Sequence, residues 1–457
     1  MPPAARDPSA ARVDRSEGDV NGTAQRSDWQ REHIGDATRA LLESDAAHFL
    51  HQALSTPCLN ALQAAGGCCI EDLEGRRYLD FHGNNVHQLG HGHPRVIAAV
   101  KHALDTLPFS PRRYTNRYAV ELAARLAALA PEPLGKVLLA PGGAEAMGIA
   151  LQLARVATGR FKTVSMWDAF HGASLDTIGI GGEALFRRGI GPLLPGAEHV
   201  PPCDPGGCRF GCAGHCNANC ARFVDDVLAR EGDVGAVIVE TVRCTDVQVP
   251  PPPYYKILRE ACDRHGALLI LDEIPIALGR TGRMFAFEHY DVVPDIVVLG
   301  KGLGGGVWPL AAVIARRELD VAGDRALGHY THEKSPVGCA AALATLDCLQ
   351  HDGLLERAQA IGRRMRQRLD AVRGELPWVR ELRSIGALLG VELCAPDGTP
   401  APEQAEAVMY RCLGDGLSFK VGQGNVLNLS PPLVIGDAEL DHALDVLVAA
   451  LRALPPP

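Results

Sequence analysis

The sequence predicts an α/β fold: a large domain built on a mainly parallel sheet, followed by a smaller α+β domain. Three observations carry this. Six short apolar runs punctuate the middle of the chain, at Val137–Ala140, Thr163–Met166, Ala236–Val239, Leu268–Leu271, Ile296–Leu299 and Leu310–Ala315. Most are solidly apolar rather than alternating, the pattern of strands covered on both faces. Stretches of helical period, such as Ala144–Thr158 and Pro253–His265, lie between them, as crossover helices of βαβ units would. After about Ser335 the pattern changes. A long Ala- and Leu-rich helical stretch runs from Val337 to about Arg373, followed by strand-like GALLGVEL and NVLNLS and a last amphipathic helix from Ala438.

The flanks complete the division. Residues 1–35 are polar and aperiodic and read as a disordered or loosely attached tail. An amphipathic helix begins near Ala37 and opens an N-terminal segment of the smaller domain, residues 36–107. The large domain takes 108–336 and the C-terminal part of the smaller one 337–457. A length of 457 residues is ample for two or three cores. A formal charge of −9 gives no electrostatic reason for a nucleic-acid or anionic-membrane partner. No apolar run reaches the roughly 18 residues of a membrane span. The polar N-terminus has no apolar signal core, so a cytoplasmic location is expected and the 14 cysteines are read as reduced.

Ligands of parallel sheets bind at the carboxyl ends of strands, so residues following each run are the candidates. After the first come Gly142, Gly143 and Ala144, opening a helix. Their N–H groups and the helix dipole suit a phosphate, although a plain tight turn would look the same. Phe170-His171-Gly172 follows the second run, with an aromatic that either stacks on a ring or joins the core. Asp272 ends the Leu268–Leu271 run, where a buried carboxylate needs a partner. That partner is a protonated pyridine nitrogen, or else a salt bridge or a helix start. Lys301 ends the next run, wrapped by Gly300, Gly302 and Gly304–Gly306. Such glycines let a bulky cofactor lie against the backbone, and a buried lysine sheds its proton readily, as imine chemistry requires.

Together these motifs, with LGRTG between Asp272 and Lys301, resemble the class III aminotransferases, pyridoxal-phosphate enzymes of fold type I. The resemblance runs from about residue 40 to the end, including LDFHGNNVHQLGHGHP and SPPLVI. It implies a seven-stranded, mainly parallel sheet, pyridoxal 5'-phosphate as cofactor, and a homodimer with shared active sites, with a tetramer left open. It also implies roles by motif. Lys301 holds the cofactor as a Schiff base and shuttles protons, and Asp272 pairs with the pyridine nitrogen. Phe170 and His171 flank the ring, Ile274 packs under it, and Gly142, Gly143 and Ala144 take the phosphate. Thr331 reaches the neighbouring subunit's phosphate, and Glu240 lies near the substrate side.

Two departures shift the expected chemistry. The family's DEVQ is Asp272-Glu273-Ile274-Pro275 here, so the usual glutamine is absent. Asn428 stands where an arginine commonly grips the carboxylate of amino acids and 2-oxo acids. Meanwhile Arg112, Arg113 and Arg117 cluster near the family's substrate entrance, where a phosphonate would suit them, although dimer salt bridges are equally compatible. Asn85 and His87 add polar groups beside the site. These details resemble a branch of ammonia-lyases that act on β-hydroxylated aminophosphonates by elimination, with Lys301 or His87 as the acid for the leaving hydroxyl. An ω-amino-acid or amine transaminase is the alternative. A non-enzymatic cofactor-binding protein is a third reading, which Lys301 and Asp272 together oppose.

The segment PPCDPGGCRFGCAGHCNANC carries Cys203, Cys208, Cys212, Cys216 and Cys220. On one continuous helix the last four would form a line about 18 Å long at ~1.5 Å per residue and could not share an ion. The glycines argue for a loop instead. A looped segment could gather Cys208, Cys212, Cys216 and Cys220 around a structural zinc. An unmetallated reduced loop and redox disulfides stand beside that reading.

Overall fold

The computed structural model describes residues 23–53, 55–204, 208–212 and 216–457. Its centre is a seven-stranded sheet in the order Leu134–Ala140, Ala311–Arg316, Ile296–Leu299, Leu268–Asp272, Val234–Glu240, Lys162–Met166, Ala197–Val200. Six strands run in one direction, and Ala311–Arg316 is antiparallel to both its neighbours. The solidly apolar runs are the central strands: every residue of Val234–Glu240 and Ile296–Leu299 is buried. Ala197–Val200 carries no apolar run because it is an edge strand, with only Val200 buried.

Helices cover both faces of this sheet. Gly143–Thr158 buries Met147, Ile149, Ala150, Leu151 and Leu153. Pro253–His265 starts on a proline, whose fixed φ suits a first helical turn, and buries Tyr254, Tyr255, Leu258 and Cys262. Among the described residues no helix is long and apolar enough to cross a membrane.

Two four-stranded sheets flank the large one. Val379–Ile385, Leu388–Leu393, Val426–Leu429 and Lys420–Gly422 form an antiparallel sheet. Leu62–Gly66, Cys69–Asp72 and Arg77–Asp80 form a meander that ends by pairing, in parallel, with Leu417–Ser418. The N-terminal segment is thereby stitched to the C-terminal one. Ser430 N–H donates to Phe81 O at 2.6 Å, and Leu433 N–H to Gln88 O at 2.8 Å.

Three elements differ from the sequence reading. The stretch from Val337 to Arg373 is two helices, Pro336–His351 and Leu354–Ala371, because Gly353 adopts a left-handed φ of 66° that breaks the first and starts the second. The region read as a tail contains the helix Ala24–His33, capped by the Thr23 side chain and anchored by buried Trp29, which stacks on His33 at 4.8 Å. Its remaining polar character hides that one-residue anchor from a search for period; residues 1–22 lie outside the described residues. Finally, Ala311–Arg316 is antiparallel, since the chain returns from Leu299 within the same layer instead of crossing over.

Candidate active site

Because six strands run together, their carboxyl ends share one edge of the sheet. Glu240 and Asp272 are register partners there, as are Asp272 and Val298. A cavity of about 250 Å³ opens at this edge. Successive strand ends build its wall: Gly143 and Ala144, then Phe170, His171 and Gly172, then Glu240 with Cys244 and Thr245, then Asp272 with Ile274 and Pro275, and finally Lys301.

Asp272 is 2% exposed and fixed from two sides. Its Oδ2 lies 2.8 Å from His171 Nδ1, and its Oδ1 accepts the Ile274 N–H at 3.0 Å. Burial by itself would lower the His171 pKa. The hydrogen bond to Asp272 and its charge override that, and the imidazole sits above its ordinary value. The carboxylate is therefore held in place while its position at the cavity wall is kept.

Glu240 ties two walls together. Its Oε1 accepts from Phe170 N–H at 3.0 Å and its Oε2 from Cys244 N–H at 3.3 Å. Burial raises its pKa, opposed by His171 and reinforced by Asp272. Phe170 is braced by Phe186, ring centroids 4.6 Å apart.

Lys301 follows a buried strand, but its side chain is exposed and lines the cavity. Only its surroundings are buried, at Gly302, Leu303 and Gly304. The expected burial of the lysine is thus corrected: the glycines enclose the backbone and leave the amine open. Its φ of 45° is left-handed and strained, a cost that concentrates at functional positions. A Cβ on Gly302 would displace the amide of Gln88, a side chain that is itself buried.

The cavity suits pyridoxal phosphate. The N-cap Gly142 makes no side-chain capping bond, so the first N–H groups of Gly143–Thr158 remain available at a positive helix end beside the cavity. A Cβ on Gly143 would press Ile274 Cδ1 at 3.0 Å, and one on Gly172 would meet Ala144 Cβ at 2.8 Å. A fixed carboxylate, an aromatic wall and an open lysine complete a donor set matched to a phosphorylated pyridine aldehyde.

Other residues singled out from sequence fall elsewhere. His87 is fully buried behind the wall, with Nε2 at 2.9 Å from Asp80 O, and burial lowers its pKa to about 4. It is neutral near neutrality and does not line the cavity. Asn85 is also one layer back, where its Nδ2 donates to Cys244 Sγ at 3.4 Å. Arg112 pairs with Glu333 at 3.1 Å and borders a different cavity beside Leu138. Arg113 and Thr331 are exposed and do not line this cavity. Asn428 is 2% exposed, and its Nδ2 donates to the carbonyls of Cys244 and Thr245.

Cys208, Cys212, Cys216 and Cys220 do not assemble as a metal set. Among the described residues the one group of three ligand-type atoms within 4.8 Å is His93, Cys348 and Asp352. Cys203 and Cys220 instead share a hydrogen bond, with Cys216 beside Cys203, and Cys212 donates to Asn217 Oδ1 at 3.0 Å.

Cys244 and Thr245 are the wall residues that motif reading missed. They follow the Val234–Glu240 strand, where the strand-end rule points, but TVRCTDV contains neither the glycine pair nor the strand-end carboxylate that drew attention elsewhere.

The model of the family described as aminotransferase class III matches residues 51–451. The chain is 49% identical over 454 residues to an (R)-1-hydroxy-2-aminoethylphosphonate ammonia-lyase of Vibrio splendidus, covering 96% of this chain and 95% of that one. It is 38% identical over 389 residues to an acetylornithine aminotransferase of Methanopyrus kandleri, covering 85% and 93%. Among solved structures, a Bacillus anthracis aminotransferase superposes with a TM-score of 0.84 at 29% identity, covering 92% of this chain and all of that one. A PLP-bound amine transaminase from an uncultivated Pseudomonas species gives 0.82 at 29% identity, covering 88% and 98%.

Proposed function

The chain belongs to the class III aminotransferase family, and from that premise we propose that it is a cytoplasmic, homodimeric ammonia-lyase. Its substrate is (R)-1-hydroxy-2-aminoethylphosphonate and its products are phosphonoacetaldehyde and ammonia. The observation that carries this is Asn428. Where a transaminase presents a guanidinium to carboxylates, this chain spends a short amide on the carbonyls of Cys244 and Thr245. Among the described wall residues no arginine faces Lys301. A 2-oxo acid acceptor therefore has no bidentate anchor, and a reaction that stores and passes on an amino group loses its second half.

Pyridoxal phosphate, when bound, supplies an electron sink for the charge left as a proton departs the carbon bearing nitrogen. The chain's own groups do the rest. Lys301 Nζ takes that proton. Asp272, braced by His171 and the Ile274 N–H, holds the positive end of the ring system. Gly143 and Ala144 N–H groups hold the phosphate, and Phe170 and Ile274 confine the ring. Loss of the adjacent hydroxyl as water yields an enamine, which hydrolyses to the aldehyde and ammonia. Across a dimer interface, Thr331, Arg112 and Arg113 of one chain serve the other chain's site.

The test is ammonia release from the hydroxylated aminophosphonate by the holoenzyme with no 2-oxo acid present. Turnover that requires pyruvate or 2-oxoglutarate gives the chain to the transaminase reading instead.

A further inference from the structure

We propose that Cys244 is the proton donor to the departing hydroxyl; this rests on the ammonia-lyase reading. Elimination of hydroxide needs an acid near the second carbon, and the buried, neutral His87 is removed from the cavity. Among the wall residues that carry a transferable proton, Cys244 has the surroundings of an acid whose anion must be stabilised. It lines the same cavity as Lys301. Asn85 Nδ2 donates to its Sγ at 3.4 Å. The Asn428 amide grips the carbonyls of Cys244 and Thr245, and Glu240 accepts the Cys244 N–H at 3.3 Å, so the backbone that carries the thiol is held in place.

Two buried oxygens beside it, Asn85 Oδ1 and Asn428 Oδ1, have no partner, and neither does Thr245 Oγ1. Both asparagines are over nine-tenths buried. Of these only Thr245 stands in the cavity wall, where its unpartnered hydroxyl can meet a hydroxyl-bearing substrate beside Cys244. Burial pushes the Cys244 thiol up to about 11, with Glu240 adding to it and the charges of Lys301 and Arg280 opposing it, so the resting group is the protonated thiol that a donor must be. Arg280 is fully buried, with Nε and Nη2 unpartnered, so its charge is not spent on a carboxylate.

The step balances. Lys301 removes a proton from the carbon bearing nitrogen. The C–O bond breaks, its electron pair leaves with oxygen, and the Cys244 S–H proton converts the leaving hydroxide to water. The Lys301 ammonium then returns its proton to the thiolate, so each turnover restores both groups with no outside acid.

The experiment compares holoenzymes carrying Cys244→Ala and Cys244→Ser with the unaltered protein. Ammonia release from (R)-1-hydroxy-2-aminoethylphosphonate should fall about 100-fold or more in both variants. Deuterium exchange from heavy water into 2-aminoethylphosphonate, which has no hydroxyl to lose, should fall far less than ammonia release does. The analogue with chloride in place of the hydroxyl, whose leaving group needs no proton, should restore ammonia release. Cofactor absorbance and melting temperature are checked to establish that the variants are folded and loaded. Full activity in Cys244→Ala, parallel loss of exchange, or no rescue by the chloro compound overturns the proposal. If the unaltered enzyme releases no ammonia from the hydroxylated compound, the ammonia-lyase reading itself fails.

Discussion

Replacing Glu183 with glutamine should convert a pH-sensitive fold into a less sensitive one. Glu183 is 7% exposed, and neither carboxyl oxygen has a partner. Burial, then the charge of Glu240, raises its pKa from 4.5 to about 8. The folded state therefore keeps this proton over a range in which the unfolded chain has released it. Stability from this group is complete below pH about 4.5, falls as pH rises toward about 8, and is level above that. At 1.36 kcal/mol per pH unit the full span is worth about 5 kcal/mol. Glutamine cannot titrate, and any fixed cost of its buried amide is the same at every pH. The difference between variant and parent should thus shift in the variant's favour by about 5 kcal/mol between pH 4.5 and pH 9. An unfolding entropy of about 2.1 cal/mol/K per residue makes 1 kcal/mol about 1 °C for a chain of 457 residues. The expected relative gain in melting temperature is about 5 °C, read by circular dichroism on both holoproteins across that range. A difference that stays constant with pH refutes the assignment of an unpaired, protonated carboxyl at Glu183.

Asp272→Asn should lower ammonia release by about 100-fold or more, because an amide cannot balance a pyridinium charge; kcat measured with cofactor loading confirmed by absorbance checks this. Gly302→Ala should cost about 1–3 kcal/mol by forcing a methyl group against Gln88, seen as a lower melting temperature. Purified protein should hold zinc well below one ion per chain by elemental analysis, since among the described residues Cys208, Cys212, Cys216 and Cys220 form no group of three ligand atoms within 4.8 Å.

The large sheet was legible because burial on both faces leaves little room for anything but apolar residues, so Val234–Glu240 and Ile296–Leu299 announce themselves. Lys301 and Asp272 were legible for the opposite reason: a charge at the end of such a run demands an explanation. Ala197–Val200 was hidden because an edge strand needs only one buried side chain. The break at Gly353 was hidden because residues on both sides of it keep helical period. Cys244 lay beyond motif reading, since its setting depends on Asn85 and Asn428, residues 159 and 184 positions away in sequence. The same distance explains the arginines: a cluster in sequence says nothing about which cavity it faces, and Arg112 turns to Glu333.

The short parallel pairing of Leu417–Ser418 with Arg77–Asp80 also sets a timetable for the newborn chain. Leu79 must wait for Leu417, synthesised 338 residues later. At 5–20 residues per second that is roughly 20–70 s on the ribosome. The strand-end wall from Gly143 to Lys301 is complete well before then, but Asn428, which pins Cys244, emerges last. Through that interval the edge of Arg77–Asp80, with Tyr78 and Leu79 destined for the core, stays unpaired and open to wrong partners. Slow translation or a shortened C-terminus should therefore appear first as aggregation of nascent chains, before any loss in the specific activity of those that finish.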